Sequence, residues 1–173
     1  MTGDFRIKVL KKSTPSLLII DAQSIKNSSS AKLKGYDAGK KVSGIKLHIA
    51  VDSLGLLNQI HITKANKTDR DGAIEMFEKT IHSNDNLEKV LVDGGYTGEK
   101  FANKIQELLK AKVEVAKRSE LHTFKVIPKR WVVERTFSWL EKCRRLWRNC
   151  EGLISSSVGM VRIALLRVLL KRY

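Results

Sequence analysis

Three acidic residues, Asp21, Asp93 and Glu134, are of the type that binds divalent metal ions. Asp21 follows the apolar run Ser16 to Ile20, and Asp93 follows the run Val90 to Val92. Each run predicts a buried strand, so both aspartates are expected at the C-terminal ends of strands. Two such carboxylates need a third acidic ligand to hold a pair of hard cations, and Glu134 on a later helix is the candidate.

The first strand is expected to belong to a three-stranded antiparallel meander. Residues Ile45 to Val51 alternate between apolar and polar side chains, which is typical of a half-buried strand. Asp52 to Gly55 predict a tight turn, and Leu56 to Thr63 predict the antiparallel partner. His48 is interpreted as a strand residue on the less buried face.

Strands and helices alternate in the second half of the sequence. Thr68 or Asp69 is predicted to cap one helix, and Phe101 to Leu109 predict another. Ala111 to Ala116 predict a further strand, and a long amphipathic helix is predicted from Pro128. The order βββ, α, β, α, β, α indicates an α/β fold with a mixed sheet, in which parallel strands join the meander and helices pack on its faces.

The helix predicted from Pro128 extends through Arg148, with Glu134 on its polar stripe. Trp131, Trp139 and Trp147 recur every eight residues and are interpreted as core residues beside the apolar face, with Trp131 the one most open to DNA. For an arbitrary helix, an intrahelical ion pair on a solvated surface would be the simpler account of Glu134. Two segments are expected to be poorly ordered, residues 1–14 and the basic segment 27–44.

The composition favours one domain with a polyanionic partner. The 173 residues include 33 Lys and Arg against 18 Asp and Glu, a net charge of +15, and 42% are hydrophobic. No apolar stretch is long enough to span a membrane, because Arg162 and Arg167 interrupt the run Val158 to Leu170. The spacing of Cys143 and Cys150 does not match that of zinc ligands. Both are therefore expected to be free thiols, which suits a reducing cytoplasm.

Three segments carry a family resemblance: Leu-Ile-Ile-Asp21-Ala-Gln-Ser, Val-Leu-Val-Asp93-Gly-Gly-Tyr and Trp-Val-Val-Glu134-Arg-Thr-Phe. They resemble, in order, the three motifs of bacterial insertion-sequence transposases with a DDE triad. The similarity extends over roughly Ser16 to Glu151. Three motifs in order are far more specific than any one of them, because an Asp-Gly turn alone has an ordinary structural explanation.

The resemblance implies a ribonuclease-H-like fold with helices on both faces of the sheet. It implies that Asp21, Asp93 and Glu134 bind Mg²⁺, with Mn²⁺ as a substitute, and catalyse two-metal phosphoryl transfer on double-stranded DNA. The attacking group would be water during cleavage and a DNA 3′-hydroxyl during joining. Binding two ends of the element at once would require a dimer or a larger assembly. The protein would act in the cytoplasm, in association with the nucleoid.

Several residues are assigned auxiliary roles. Four cations are candidates for contacts with DNA phosphates: Lys26, Lys46 on a strand edge, and Arg130 and Arg145 on the helix of Glu134. Three further acidic residues are assigned structural roles: Asp52 at a hairpin turn, and Asp69 and Asp71 in the first turn of a helix.

The sequence also departs from the family pattern. Ile127 and Glu141 occupy positions where the family often has Tyr and Lys. The chain 1–173 is interpreted as a single catalytic domain without the usual N-terminal DNA-recognition domain, so an upstream-frame partner polypeptide is a further expectation. Two alternatives remain open, a catalytically inactive basic DNA-binding remnant and a structure-selective nuclease of the same fold.

Overall fold

A six-stranded mixed sheet organises the chain in the computed structural model, which describes residues 2–10, 13–79, 86–116 and 129–171. The strands are β1 (Leu17–Lys26), β2 (Gly35–Asp37), β3 (Val42–Val51), β4 (Leu57–Lys64), β5 (Lys89–Val92) and β6 (Lys112–Val115). The helices are α1 (Thr2–Leu10), α2 (Asp69–Glu78), α3 (Glu99–Leu109), α4 (Trp131–Glu141) and α5 (Ile154–Leu170). Short 3₁₀ turns cover Gly94–Tyr96 and Arg144–Leu146.

The sheet joins an antiparallel part to a parallel part through β1. Strand β3 pairs antiparallel with β1 on one side and with β2 and β4 on the other. On its second side β1 pairs parallel with β5, and β5 pairs parallel with β6. The meander of β1, β3 and β4 and the added parallel strands confirm the predicted mixed sheet.

Two hydrophobic cores lie on opposite faces of the sheet. Alternate strand residues separate them, since Ile19 and Leu91 pack with α4 and α5 whereas Leu18 and Val90 pack with α2 and α3. Full burial of each such aliphatic side chain contributes about 1.5–3 kcal/mol. Helices on both faces were predicted, and the structure has them.

The N-terminal segment is more ordered than the sequence indicated. Residues Thr2–Leu10 form α1, and Arg6 is buried in an ion pair with Asp52. Asp52 also accepts hydrogen bonds from the backbone N–H groups of Leu54 and Leu56, at 2.8 and 2.9 Å, in its predicted role at the hairpin turn. The expected disorder was wrong for α1 because a charged pair 46 residues apart in sequence is invisible to a local pattern.

The basic segment 27–44 is likewise structured, contrary to expectation. It contains β2, which pairs with β3, and Asp37 anchors it to two neighbouring strands. The Asp37 carboxylate accepts a hydrogen bond from Ser24 Oγ at 2.7 Å and lies 3.2 Å from Lys46 Nζ. Buried polar partners, rather than apolar residues, therefore order this segment.

His48 is fully buried, so its predicted place on the less buried face was wrong. Its ring lies against α2, where a Cβ added at Gly72 would come within 2.1 Å of His48 Cε1. Nε2 lies 3.0 Å from Thr63 Oγ1, whereas Nδ1 has no hydrogen-bond partner among the described residues. Burial lowers the pKa of His48 to about 3.

The helix predicted from Pro128 to Arg148 is interrupted. Pro128 lies outside the described residues, α4 ends at Glu141, and a 3₁₀ turn follows. The backbone N–H of Asn149 donates to Lys26 O at 2.8 Å, which draws this segment to the end of β1. Trp147 is therefore 63% exposed rather than a core residue.

Trp131 is also largely exposed, at 52%. Together with Trp139 it encloses the guanidinium of Arg135, whose carbon lies 4.5 Å from the Trp131 ring and 4.8 Å from the Trp139 ring. Arg135 Nη2 donates to Leu54 O at 2.9 Å. These two tryptophans therefore help fix α4 onto the β3–β4 turn.

Candidate active site

Asp21 and Asp93 meet through the parallel register of β1 and β5. The last paired residues are Ile19 and Leu91, two positions before Asp21 and Asp93, and the charge of Asp93 acts on Asp21. Because side chains alternate across a strand, both aspartates face the side on which Ile19 and Leu91 pack against α4. Asp93 follows β5 as predicted, but Asp21 lies inside β1 rather than at its end, since β1 continues beside β3 to Lys26.

The surroundings of Asp21 disfavour its charged form. Burial raises the pKa of Asp21 to about 6, and the charge of Asp93 adds to the rise. The backbone N–H of Ala22, which donates to Asp21 Oδ1 at 2.7 Å, and the Lys40 ammonium act in the opposite direction. Two partly desolvated carboxylates are stabilised in their charged form by a cation, and oxygen ligands suit Mg²⁺. The donor atoms of this pair therefore fit a divalent metal ion.

The turn after Asp93 places a buried phenol beside the carboxylates. Asp93 Oδ1 accepts from Gly95 N at 2.9 Å and so begins the 3₁₀ turn that ends at Tyr96. Burial raises the pKa of Tyr96 well above its ordinary value, as do the charges of Asp21, Asp69 and Asp93. The Tyr96 hydroxyl has no hydrogen-bond partner within the described ranges. It leaves a polar position next to the aspartates that a water molecule or ligand can satisfy.

Lys40 is a second residue that the sequence analysis missed. Its ammonium donates to Ala22 O at 3.1 Å, and its charge acts on Asp21. The backbone N–H of Lys40 donates to Asp37 Oδ1 at 3.1 Å, so Asp37 also holds the turn that carries Lys40. No local pattern distinguishes Lys40 from its neighbour Lys41, because the turn acquires its position only from β1.

Glu134 lies on α4, the helix that covers the face of Asp21 and Asp93. Its carboxylate is half-exposed and pairs with Arg130 at 2.5 Å, one helical turn earlier. The described residues contain no group of three or more His, Cys, Asp or Glu side chains placed to hold a metal ion. The structure thus brings Asp21 and Asp93 together and does not gather Glu134 with them.

A contact farther along α4 indicates how this helix faces β1. Glu141 Oε1 accepts from Gln23 Nε2 at 2.9 Å. Gln23 lies on the same side of β1 as Asp21, and Glu141 lies on the same side of α4 as Glu134, two turns or about 10 Å away. The polar stripe of α4 therefore runs along the face of β1 that carries Asp21.

Lys46 occupies a buried ion network rather than a strand edge, so its predicted position was wrong. Strand β3 is internal, and Lys46 Nζ lies 2.8 Å from Asp69 Oδ1, 3.2 Å from Asp37 Oδ2 and 2.8 Å from Lys67 O. Burial lowers the pKa of Lys46, but hydrogen bonds and the charges of Asp69 and Asp37 raise it above its ordinary value. The ammonium ties β2, β3 and α2 together.

The other predicted phosphate contacts are at the surface. Lys26 is exposed at the end of β1, and Arg130 pairs with Glu134. Arg145 lies on the 3₁₀ turn after α4, not on the helix of Glu134 as predicted, and pairs with Glu151 at 2.8 Å. Asp69 and Asp71 occupy the first turn of α2, as predicted, and Thr68 is the cap, its Oγ1 accepting from Asp71 N.

Comparison with known proteins identifies the fold. The cryo-EM structure of a simian T-cell lymphotropic virus intasome, in complex with PP2A regulatory subunit B56 gamma, is similar with a TM-score of 0.54 and 17% identity. The alignment covers 88% of this chain and 48% of the intasome chain, so the present chain spans about half the length of its structural relative. The likeness confirms the ribonuclease-H-like fold.

Comparison with curated proteins gave no match. None of the helices within the described ranges is long and apolar enough to cross a membrane. A family model described as a transposase DDE domain matches residues 12–169. The chain therefore belongs to the transposase DDE domain family, whose members are in general enzymes that cut and join DNA.

Proposed function

We propose that this chain is the catalytic domain of a transposase that cleaves and joins DNA at the ends of an insertion sequence. Asp21, Asp93 and Glu134 form the metal-binding triad in this proposal. The observation that carries it is the Asp21–Asp93 pair, held by strand register on the face that the helix of Glu134 covers. The raised pKa of Asp21 supports a site that gains stability when a cation binds.

The proposed cofactor is Mg²⁺, with Mn²⁺ as a substitute, held by Asp21 and Asp93 and completed by Glu134. Divalent ions bound at such a site activate the attacking oxygen and stabilise the leaving oxygen of a phosphoryl transfer. For Glu134 to join the aspartates, its ion pair with Arg130 must open, which frees the Arg130 guanidinium for a DNA phosphate. Lys40 offsets part of the negative charge beside Asp21 before the metal binds.

The proposed partner is double-stranded DNA, both element ends and target, bound by a dimer or larger assembly. The net charge of +15 supports this partner, because it favours phosphate binding through counterion release. One continuous sheet with strands from Leu17 to Val115 supports a single catalytic domain. The free thiols of Cys143 and Cys150 are compatible with action in the cytoplasm, on nucleoid DNA.

One observation favours a second candidate, an inactive DNA-binding relative of the family. Glu134 is engaged by Arg130 instead of standing with the aspartates. In such a protein the basic surface would bind DNA without turnover. The two functions differ in whether Glu134 can be recruited by metal.

The deciding experiment measures strand cleavage and joining on supercoiled plasmid, with oligonucleotides that carry free 3′-hydroxyl ends. Glu134→Gln is compared with Glu107→Gln, a matched change at an exposed residue of α3. We expect metal-dependent joining by the native chain and Glu107→Gln, with a loss of at least about 100-fold in Glu134→Gln. DNA binding without any joining by the native chain would refute the catalytic proposal and favour the inactive relative.

A further inference from the structure

A groove with a cavity volume of about 540 Å³ lies between the end of β1 and the segment after α4. We call it the Trp147 groove; its lining includes Ser24, Lys26, Val42, Leu140, Leu146 and Trp147. The volume is within the range of about 300–1,000 Å³ typical of sites for small molecules. The groove combines apolar residues with polar residues and one basic residue, Lys26.

The position of Trp147 is fixed although its ring is exposed. The indole Nε1 donates to Glu141 O at 2.5 Å, and 63% of the residue remains accessible. An exposed aromatic ring held by its polar edge presents an apolar face to whatever enters the groove. This is the arrangement with which proteins stack unpaired bases.

Buried polar contacts hold Trp147 beside Lys26. The buried side chain of Asn149 donates to Asn27 Oδ1 at 3.1 Å and accepts from Ser157 Oγ at 2.9 Å. Backbone hydrogen bonds run from Asn149 N to Lys26 O and from Ser28 N to Asn149 O, both at 2.8 Å. The segment that carries Trp147 is therefore joined to the end of β1 at Lys26.

The charges at the groove suit a phosphate-bearing strand. Lys26 lines the groove, and Arg144 and Arg148 are near Trp147 in the sequence; all three are exposed and have no acidic partner among the described residues. The one acidic lining residue, Glu141, receives a hydrogen bond from Gln23. Lys26, the nearby arginines and the aromatic platform together favour single-stranded nucleic acid over an acidic peptide, which would need no ring.

The groove also lies close to Asp21 along β1. Gln23 lines it and lies two residues beyond Asp21 on the same side of β1, a distance of about 7 Å. A strand whose phosphate lies at Asp21 and Asp93 would reach Trp147 with a nearby nucleotide. This inference rests on the proposed function for the identity of the substrate.

We propose that the Trp147 groove binds an unpaired nucleotide of the DNA strand next to the reaction site. The base stacks on the Trp147 ring and the adjoining phosphate contacts Lys26. The chain therefore prefers DNA ends that are frayed or tailed over fully paired duplex.

The test is a binding assay in EDTA, which needs neither metal nor Glu134. A blunt duplex is compared with the same duplex carrying unpaired adenines on either strand, one of them replaced by fluorescent 2-aminopurine. For the native chain we expect at least about fivefold tighter binding of one tailed duplex and quenching of the 2-aminopurine. Trp147→Leu should lose both effects, whereas Trp147→Phe should keep part of them. Tyr36→Leu, a change at an exposed aromatic residue of β2, should keep both in full.

Equal affinity of the native chain for blunt and tailed DNA, without quenching, would overturn the inference, and that measurement does not depend on any variant. Persistence of both effects in folded Trp147→Leu would overturn it as well. Glu134→Gln should retain the preference for tailed DNA. Absence of joining by the native chain, with its preference for tailed DNA retained, would therefore refute the catalytic proposal alone.

Discussion

His48 predicts a pH dependence of stability that a single substitution removes. The imidazole is fully buried against α2, and burial lowers its pKa from 6.5 to about 3. Between those values the unfolded chain binds a proton at His48 and the folded chain does not. Stability therefore rises with pH through this window and falls on acidification.

The magnitude follows from the separation of the two pKa values. At about pH 5 the unfolded imidazole is almost fully protonated, 1.5 pH units below its pKa of 6.5. The free energy of unfolding is therefore about 2 kcal/mol lower at this pH than at neutral pH. The raised pKa of Asp21 acts in the opposite direction, since the folded chain then binds the extra proton. The two effects partly cancel in the native chain. The informative quantity is therefore the difference in the free energy of unfolding between the native chain and a chain without His48.

The assay is urea unfolding followed by circular dichroism at about pH 7.5 and about pH 5, at constant ionic strength. His48→Gln retains a side chain that can bond to Thr63 but does not titrate. On acidification the native chain should lose about 2 kcal/mol more than His48→Gln. Parallel pH curves for the two proteins, or an NMR titration of His48 with a pKa near 6.5, would refute the reasoning.

Three further substitutions test packing and buried charge. Gly72→Ala should destabilise the fold by about 1–3 kcal/mol, because the added methyl meets the His48 ring. Gly159→Ala, in the same assay, should stabilise it by up to about 1 kcal/mol, since a Cβ there meets nothing within 4 Å and alanine favours the helix. Lys46→Met should lower the free energy of unfolding by about 3–5 kcal/mol, because it leaves Asp37 with an uncompensated charge. The salt dependence of DNA binding should stay unchanged. A weaker salt dependence in the variant would show that Lys46 contacts phosphate.

The strands and their approximate limits could be predicted because their signals are local. Alternation over Ile45 to Val51 and the turn at Asp52 to Gly55 specify a hairpin without reference to the rest of the chain. The approach of Asp21 to Asp93 could be anticipated for a similar reason, since both follow apolar runs typical of buried strands. The parallel register that places them on one face is not a local property, and only the structure supplies it.

The missed features depend on partners distant in sequence. Lys46 and His48 occupy the polar positions of an alternating strand, yet α2 covers that face and buries both. The amphipathic pattern of α4 continues past Glu141, but the helix ends there, and the bridge between Asn27 and Asn149 joins the following segment to the end of β1. Tyr96 and Lys40 reach the aspartates through turns whose direction is set by tertiary contacts.

The bridge between Asn27 and Asn149 also bears on the order of folding. It joins residues 122 positions apart, so its formation carries a large loop-closure entropy that neighbouring contacts must first offset. Hairpins such as β3–β4 close much shorter loops, and contacts of low sequence separation form faster. We therefore expect the sheet with Asp21 and Asp93 to form early and α4 to dock late. Glu134 would reach the site in the last step of folding, and a nascent chain would carry the aspartate pair before it could carry a triad.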